Sequence, residues 1–243
     1  MIISPTGGFY TMRRLVTILL LLLSAGLQAQ SFSFGNETLT YSIRHNLFPG
    51  NIGTMTYQTV DAGTNWQVDA TLKASVGGFY TLDCSYGSVF QKDADLTPVS
   101  ATRSQIEKKY WAKGLYEWLA PGEVHMDITK SSRPHRDEVL SWEGTVRDLL
   151  GMIWWLRTLD YNQASLETGP NALLIDHDAL PVTIASYKKK NLKYKGQSVP
   201  VIEVTLSQEG KEALHLTLSD DEIRQPLRFS IGLPFGTIKG TLK

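Results

Sequence analysis

Hydrolytic or metal chemistry in this chain would have to begin from five histidines, at positions 45, 125, 135, 177 and 215. None falls into H-x-H, H-x-x-x-H or H-E-x-x-H, the spacings that bring two imidazoles to one metal ion. His125 stands between Val124 and Met126 and shares a polar face with Glu123 and Asp127; His215 shares a face with Ala213 and Thr217. Both read as solvated strand histidines. Asp176-His177-Asp178 is the sharpest polar triplet. Alternation would set its carboxylates on one face and its imidazole on the other, which suits a strand end or loop better than a shared site. Nucleophile and phosphate motifs are missing as well. There is no G-x-S-x-G elbow, since Gly87-Ser88 lies inside a strand-like run, and no G-x-x-x-x-G-K-S/T loop. Scattered carboxylates would have to meet in space to act as a glycosidase pair, and spacing reveals no such pair. The chain therefore reads as a non-enzyme with no catalytic residue, metal ligand or cofactor assigned.

Binding chemistry has more to work with. Lys188, Lys189, Lys190, Lys193 and Lys195 form the densest charge run. They could meet lipid phosphates or an acidic polysaccharide. The favoured alternative is a solvated hairpin end, where lysines also keep an edge strand from pairing with other chains. Asp220, Asp221 and Glu222 lack the alternating oxygen donors of a calcium loop. Ser219 to Pro226 reads instead as a turn in which Ser and Asp side chains bond nearby N–H groups, with Pro226 opening the next strand. Six Trp, ten Tyr and eight Phe supply the rest. Leu150, Ile153, Trp154 and Trp155, with Trp66 and Phe229, are the candidate wall of an apolar ligand site. The same residues would equally make a solid core.

The elements that must position these groups follow from period-two alternation. Trp66, Val68, Ala70, Leu72, Ala74 and Val76 fall on one face, with Gln67, Asp69, Thr71, Lys73 and Ser75 on the other. That is a half-buried strand. Similar runs recur at Leu39-Tyr41-Ile43, Val124-Met126-Ile128, Leu214-Leu216-Leu218 and Leu227-Phe229-Ile231-Leu233, separated by Pro49-Gly50-Asn51, Gly77-Gly78, Pro121-Gly122 and Lys195-Gly196-Gln197. The pattern predicts an all-β chain: a strongly curved antiparallel sheet or open barrel. One segment breaks the rhythm and predicts the main helix, near 145–158. Thr145 is the expected N-cap, Asp148 suits the first turn, and Arg157 suits the last.

Composition bounds the whole. The chain has 243 residues, 42% hydrophobic, with 24 basic and 24 acidic side chains, which argues against nucleic-acid binding by bulk charge. One cysteine, Cys84, excludes an intrachain disulfide or thiolate cluster, and Leu82, Tyr86 and Val89 around it suit a buried reduced thiol. Met12-Arg13-Arg14, the apolar run Leu15 to Leu23 and the small residues up to Ala29 form a secretory signal, with cleavage after Ala29. Residues 1–11 read as an upstream start artefact. The apolar run is shorter than the roughly 20 residues of a membrane span, so the mature chain is expected in the periplasm or secreted, without a transmembrane segment. A single domain over 31–243, acting as a monomer, is the simplest organisation.

Several segments together resemble the DUF3108 family of exported bacterial proteins. Ser219-Asp220-Asp221-Glu222-Ile223-Arg224-Gln225-Pro226 matches its S-D-D-x-x-R-x-P strand end, and Leu233-Pro234-Phe235-Gly236-Thr237-Ile238 its final strand. Asp148-Leu149-Leu150 through Trp155-Leu156-Arg157 is similar to its Asp-to-Leu-Arg helix, and Gly35 to Tyr41 to its G-x-x-L-x-Y opening. The resemblance implies a periplasmic β-rich domain, generally similar to the open half-barrels that carry lipoproteins, and implies no biochemical activity. Three expectations follow: a non-catalytic module binding an apolar or amphipathic envelope ligand, a structural or partner-binding envelope protein, or, least favoured, a glycan hydrolase.

Overall fold

The computed structural model describes residues 33–77, 80–166, 168–233 and 236–243. The expected signal segment 1–29 and its expected cleavage after Ala29 lie outside these residues, as does the Pro234-Phe235 step of the last family motif. The strands are β1 (Glu37–His45), β2 (Gly53–Ala62), β3 (Asn65–Val76), β4 (Tyr80–Gln91), β5 (Pro98–Glu107), β6 (Tyr110–Ala120), β7 (Glu123–Lys130), β8 (Arg133–Ser141) and β9 (Thr145–Arg147). After the helix α1 (Leu149–Thr158) come β10 (Asn171–Ile175), β11 (Asp178–Tyr194), β12 (Gln197–Gln208), β13 (Lys211–Ser219), β14 (Pro226–Leu233) and β15 (Gly236–Leu242).

These strands form one 15-stranded sheet in the order β8-β7-β6-β5-β4-β3-β2-β1-β15-β14-β13-β12-β11-β10-β9. Two meanders are thus zipped together by their outermost strands, β1 on β15, with Tyr41 opposite Leu242. The expected mostly antiparallel, open, curved sheet is what the chain forms. The edges β8 and β9 share no ladder. Edge β9 is bonded instead to β6 and the β6–β7 turn, with Val146 N donating to Pro121 O at 2.9 Å and Trp118 Nε1 donating to Val146 O at 2.7 Å. Edge strand β8 carries Arg133, Pro134, His135, Arg136, Asp137 and Glu138, and such charge and proline discourage pairing with another chain.

The expected helix near 145–158 is shorter at its start. Thr145 is not the cap: Thr145–Arg147 is strand β9, which pairs in parallel with β10. The N-cap is Asp148, whose Oδ1 accepts from Leu150 N at 2.9 Å and Gly151 N at 3.2 Å. An extended β-branched pair, Thr145-Val146, prefers a ladder to a first helical turn, and a carboxylate caps better than a threonine. The β9–α1–β10 unit is therefore a parallel crossover, the connection that a short helix makes possible. Helix α1 is buried from Leu150 through Arg157.

Two cores result. The larger gathers Tyr41, Ile43, Tyr57, Trp66, Val68, Phe90, Leu150, Ile153, Trp154, Trp155, Leu216 and Phe229 around α1. The smaller joins Tyr116, Val124, Met126 and Ile128 of β6 and β7 to Val146, Ala172 and Leu174 of β9 and β10. The smaller core is what brings the two ends of the sheet together. Cys84 is buried in the larger one, and burial pushes its thiol up, away from reactive thiolate.

Candidate functional site

Every residue proposed as a ligand wall lands in the larger core. Trp154, Leu150, Ile153, Trp66, Phe229 and Trp155 are 0–5% exposed. They pack against one another and against aromatic neighbours. Tyr57 lies 5.5 Å from Trp154 and 6.3 Å from Phe229 between ring centroids. Phe34, in the arm ahead of β1, sits edge-on between Trp66 at 5.5 Å and Trp154 at 6.4 Å. Such tilted and edge-on pairs bring positive ring edges to negative faces.

This cluster has an unusual polar feature. Tyr57 Oη, Trp66 Nε1 and Trp154 Nε1 are buried and have no hydrogen-bond partner among the described residues. Burial pushes the Tyr57 phenol well above its ordinary range, so it remains a donor. Leaving a buried donor unpaired costs about 1–3 kcal/mol each. Native proteins keep such groups where something else satisfies them.

The arm, the helix and the β13–β14 turn are locked together by a residue that the sequence reading placed only in the last turn. The Arg157 side chain is fully buried and ion-pairs with Glu37 at 2.5 Å. Its Nε and Nη2 also donate to the carbonyls of Arg224 and Ile223, both at 3.0 Å. Its guanidinium lies 4.6 Å from the Phe34 ring centroid and 5.1 Å from that of Trp154. Arg224 returns the favour by donating Nη1 to the carbonyls of Arg157, at 3.0 Å, and Leu159. Those are the carbonyls that a helix end leaves without partners.

The turn that presents Arg224 is built as the sequence reading expected. Ser219 Oγ donates to Asp221 Oδ1 at 2.8 Å and accepts from Gln225 N at 2.8 Å; Asp221 Oδ1 accepts from Ile223 N and Arg224 N at 3.1 and 2.8 Å. Arg224 takes a left-handed φ of 49°. Three segments that are far apart in sequence, Phe34–Tyr41, Asp148–Arg157 and Ser219–Pro226, thus meet at one junction. Tyr41 Oη completes it by donating to Pro226 O at 2.5 Å.

A second polar constellation escaped the sequence reading. Asp176, on the β10–β11 turn with φ 61°, accepts ion pairs from Lys130 of β7 and, at 3.3 Å, from Arg103 of β5. Its neighbour His177 lies 3.0 Å away through Nδ1. Burial pushes the Asp176 carboxyl up, but Lys130, His177 and Arg103 outweigh that and hold it below the usual carboxylate range. The triplet 176–178 is a turn, as expected, yet its partners come from strands 46 and 73 positions earlier. Period-two alternation shows Arg103 and Lys130 facing inward only once the register is known. The constellation ties the β10–β11 turn to the inner face of β5 and β7.

The basic run divides between faces. Lys188 and Lys190 reach Glu203 at 3.4 and 2.7 Å on the outer face, while Lys189 reaches Asp220 at 3.3 Å and Asn162 at 2.8 Å. Lys193 and Lys195 are exposed near the β11–β12 turn, so the five do not make one patch. His125 pairs with Asp137 and His135 with Asp127 on the exposed face of β7 and β8, both at 2.8 Å. Among the described residues no group of three His, Cys, Asp or Glu is placed to hold a metal ion.

The segments that meet at the junction lie within or beside the stretch 39–243, over which the sequence matches the DUF3108 family, described as a protein of unknown function. The chain belongs to the DUF3108 family. No curated protein matches it. Among solved structures it is similar to a crystal structure from Brucella abortus, a β-barrel-like protein of domain of unknown function DUF1849. The TM-score is 0.53 at 9% identity, covering 85% of this chain and 94% of that one. At that identity the likeness is one of fold.

Proposed function

We propose that this chain is an exported, non-catalytic binding module of the bacterial envelope, which takes an apolar or amphipathic molecule between sheet and helix. The observation that carries the reading is the set of buried donors without partners, Tyr57 Oη, Trp66 Nε1 and Trp154 Nε1, in the aromatic cluster where α1 meets β2 and β3. An acyl chain with an ester or carboxylate head would supply acceptors to them and apolar surface to the rings around them. Phe34 supports an entry route. It fills the space between Trp66 and Trp154 from an arm outside regular structure, followed by Gly35 at φ 63°. Swinging this arm away would exchange one apolar group for another. Export rests on the signal-like residues 12–29.

The test is native mass spectrometry of the protein purified from its own host, with Trp fluorescence during titration with fatty acid and phospholipid. The expected result is a co-purified lipid and a saturable shift in emission, strengthened in Phe34→Ala. A lipid-free protein with no response would overturn the reading. A second reading, a structural or partner-binding envelope protein, is favoured by one observation: all six candidate wall residues are packed at 0–5% exposure. The same titration separates the two.

A further inference from the structure

The β5–β6 hairpin carries an outward-facing group of residues that the interior does not use. We propose that this hairpin seats the protein on an anionic lipid bilayer. Ile106 and Trp111 stand opposite each other in the register and are 55% and 40% exposed, and Leu115 continues the stripe along β6 at 41%. Their outward direction follows from alternation. Ala112 and Tyr116 of the same strand are buried, so Trp111, Lys113 and Leu115 face the other way. A large aromatic left in solvent beside a well-filled core marks a surface made to be covered.

Cations surround this stripe. Lys108 and Lys109 form the turn and Lys113 follows Trp111 on the outer face; all three are exposed. The β7–β8 turn is bonded to the same place, with Trp111 N donating to Ser131 Oγ at 3.0 Å and Ser131 N donating to Trp111 O at 2.9 Å. That brings exposed Arg133 nearby. The local carboxylates have partners or point away: Glu107 pairs in register with Leu82 and so lies on the inner face, and Asp83, opposite Ile106, is faced by Lys73 at 3.8 Å. At the far end of the stripe Asp127, opposite Leu115, meets His135 at 2.8 Å and Glu117 meets His125 at 3.5 Å, so the cationic end is the hairpin turn. A shallow hollow of about 340 Å³ lies among Ile106, Lys108, Tyr110, Trp111 and Lys113.

The chemistry of this group fits a bilayer surface. Indole and phenol rings settle at headgroup depth. Lysines are drawn to anionic headgroups while their stems lie along apolar surface. The same cations would repel a second copy of the patch, which disfavours self-pairing as the way to cover it. The inference does not rest on an interior ligand, so the two can fail separately.

Co-sedimentation tests it. The full chain is spun with vesicles of phosphatidylglycerol and phosphatidylcholine, and with vesicles of phosphatidylcholine alone. Expected is binding to the anionic vesicles that weakens with salt. Lys108→Glu with Lys109→Glu should weaken it by about tenfold or more, given the strength of single lysine contacts, and Trp111→Ser should separately weaken it by removing the interfacial ring. Circular dichroism should show the variants folded, and Lys193→Glu should bind like the parent. Equal binding to neutral vesicles, no binding to either, unchanged binding by the hairpin variants, or an equal loss in Lys193→Glu would overturn the proposal. So would a dimer in light scattering that Trp111→Ser dissolves, since a second copy would then own the patch.

Discussion

At the scale of single residues, Arg157 and Asp148 show how much a buried charge depends on its partners. Arg157 has no exposed side-chain surface and answers Glu37, two backbone carbonyls and two rings. Arg157→Ala would leave the Glu37 carboxylate, only 12% exposed, without its cation. The expected loss is about 3–5 kcal/mol in urea unfolding. Arg157→Lys should recover only part of it, because an ammonium cannot hold the planar fork of contacts. If Arg157→Ala instead left stability untouched, the junction would not be structural. Asp148 is a different case. Burial pushes its carboxyl up, against the pull of Ser88 and the Gly151 and Leu150 N–H groups. A folded value above the unfolded one makes its contribution fullest below about pH 4, the unfolded Asp range, and smaller as pH rises through the folded value. Asp148→Asn keeps an acceptor for the cap and removes that pH dependence. It should therefore be far milder at neutral pH than Asp148→Ala, which should cost about 1 kcal/mol.

At the scale of elements, packing details outweigh propensity. Gly151 sits inside α1, where exchange for Ala would ordinarily gain about 1 kcal/mol. Here a Cβ would lie 3.0 Å from Asp148 Oδ2, so the cap must shift to admit it. Gly151→Ala is expected to give no gain in melting temperature. Gly240 is stricter. It lies directly opposite Phe229 across β14 and β15, and a Cβ there would overlap the ring. Gly240→Ala should drive Phe229 deeper into the aromatic cluster and cost about 1–3 kcal/mol, as overpacked sites do. A stability equal to the parent's would mean the ring has another place to go.

At the scale of the whole molecule, the open sheet is held by contacts between its two ends rather than by a closing ladder. The Asp176 ion pairs to Lys130 and Arg103 are part of that hold, beside the smaller core. Because the Asp176 carboxyl is held below its usual range, its contribution is present above about pH 4 and is lost as pH falls through the lower folded value. Asp176→Asn should flatten the acid limb of the stability curve while lowering stability at neutral pH. An unchanged acid limb would mean that other carboxylates govern acid unfolding.

The sequence by itself determined the strand-rich class, the faces of the strands and the chemistry of the Ser219–Pro226 turn. Alternation is a local property: Trp66, Val68, Ala70 and Leu72 must share a face whatever else the chain does. Asp221 likewise bonds backbone only two and three residues away. It also named aromatic residues that end in one core, Trp66, Trp154, Trp155 and Phe229, since burying large apolar side chains is the main drive to fold. The tertiary structure decided what no local rule reaches. Thr145–Arg147 became a strand because β10 offered it a partner 26 residues along the chain, as Thr145 opposite Asn171 shows. Arg157 became the centre of a junction because Glu37 and Arg224 approach it across separations of 120 and 67 residues. Lys130 and Arg103 found Asp176 by the same route. Long-range charge pairs need the register of many strands before their ends meet, and register belongs to the folded sheet as a whole.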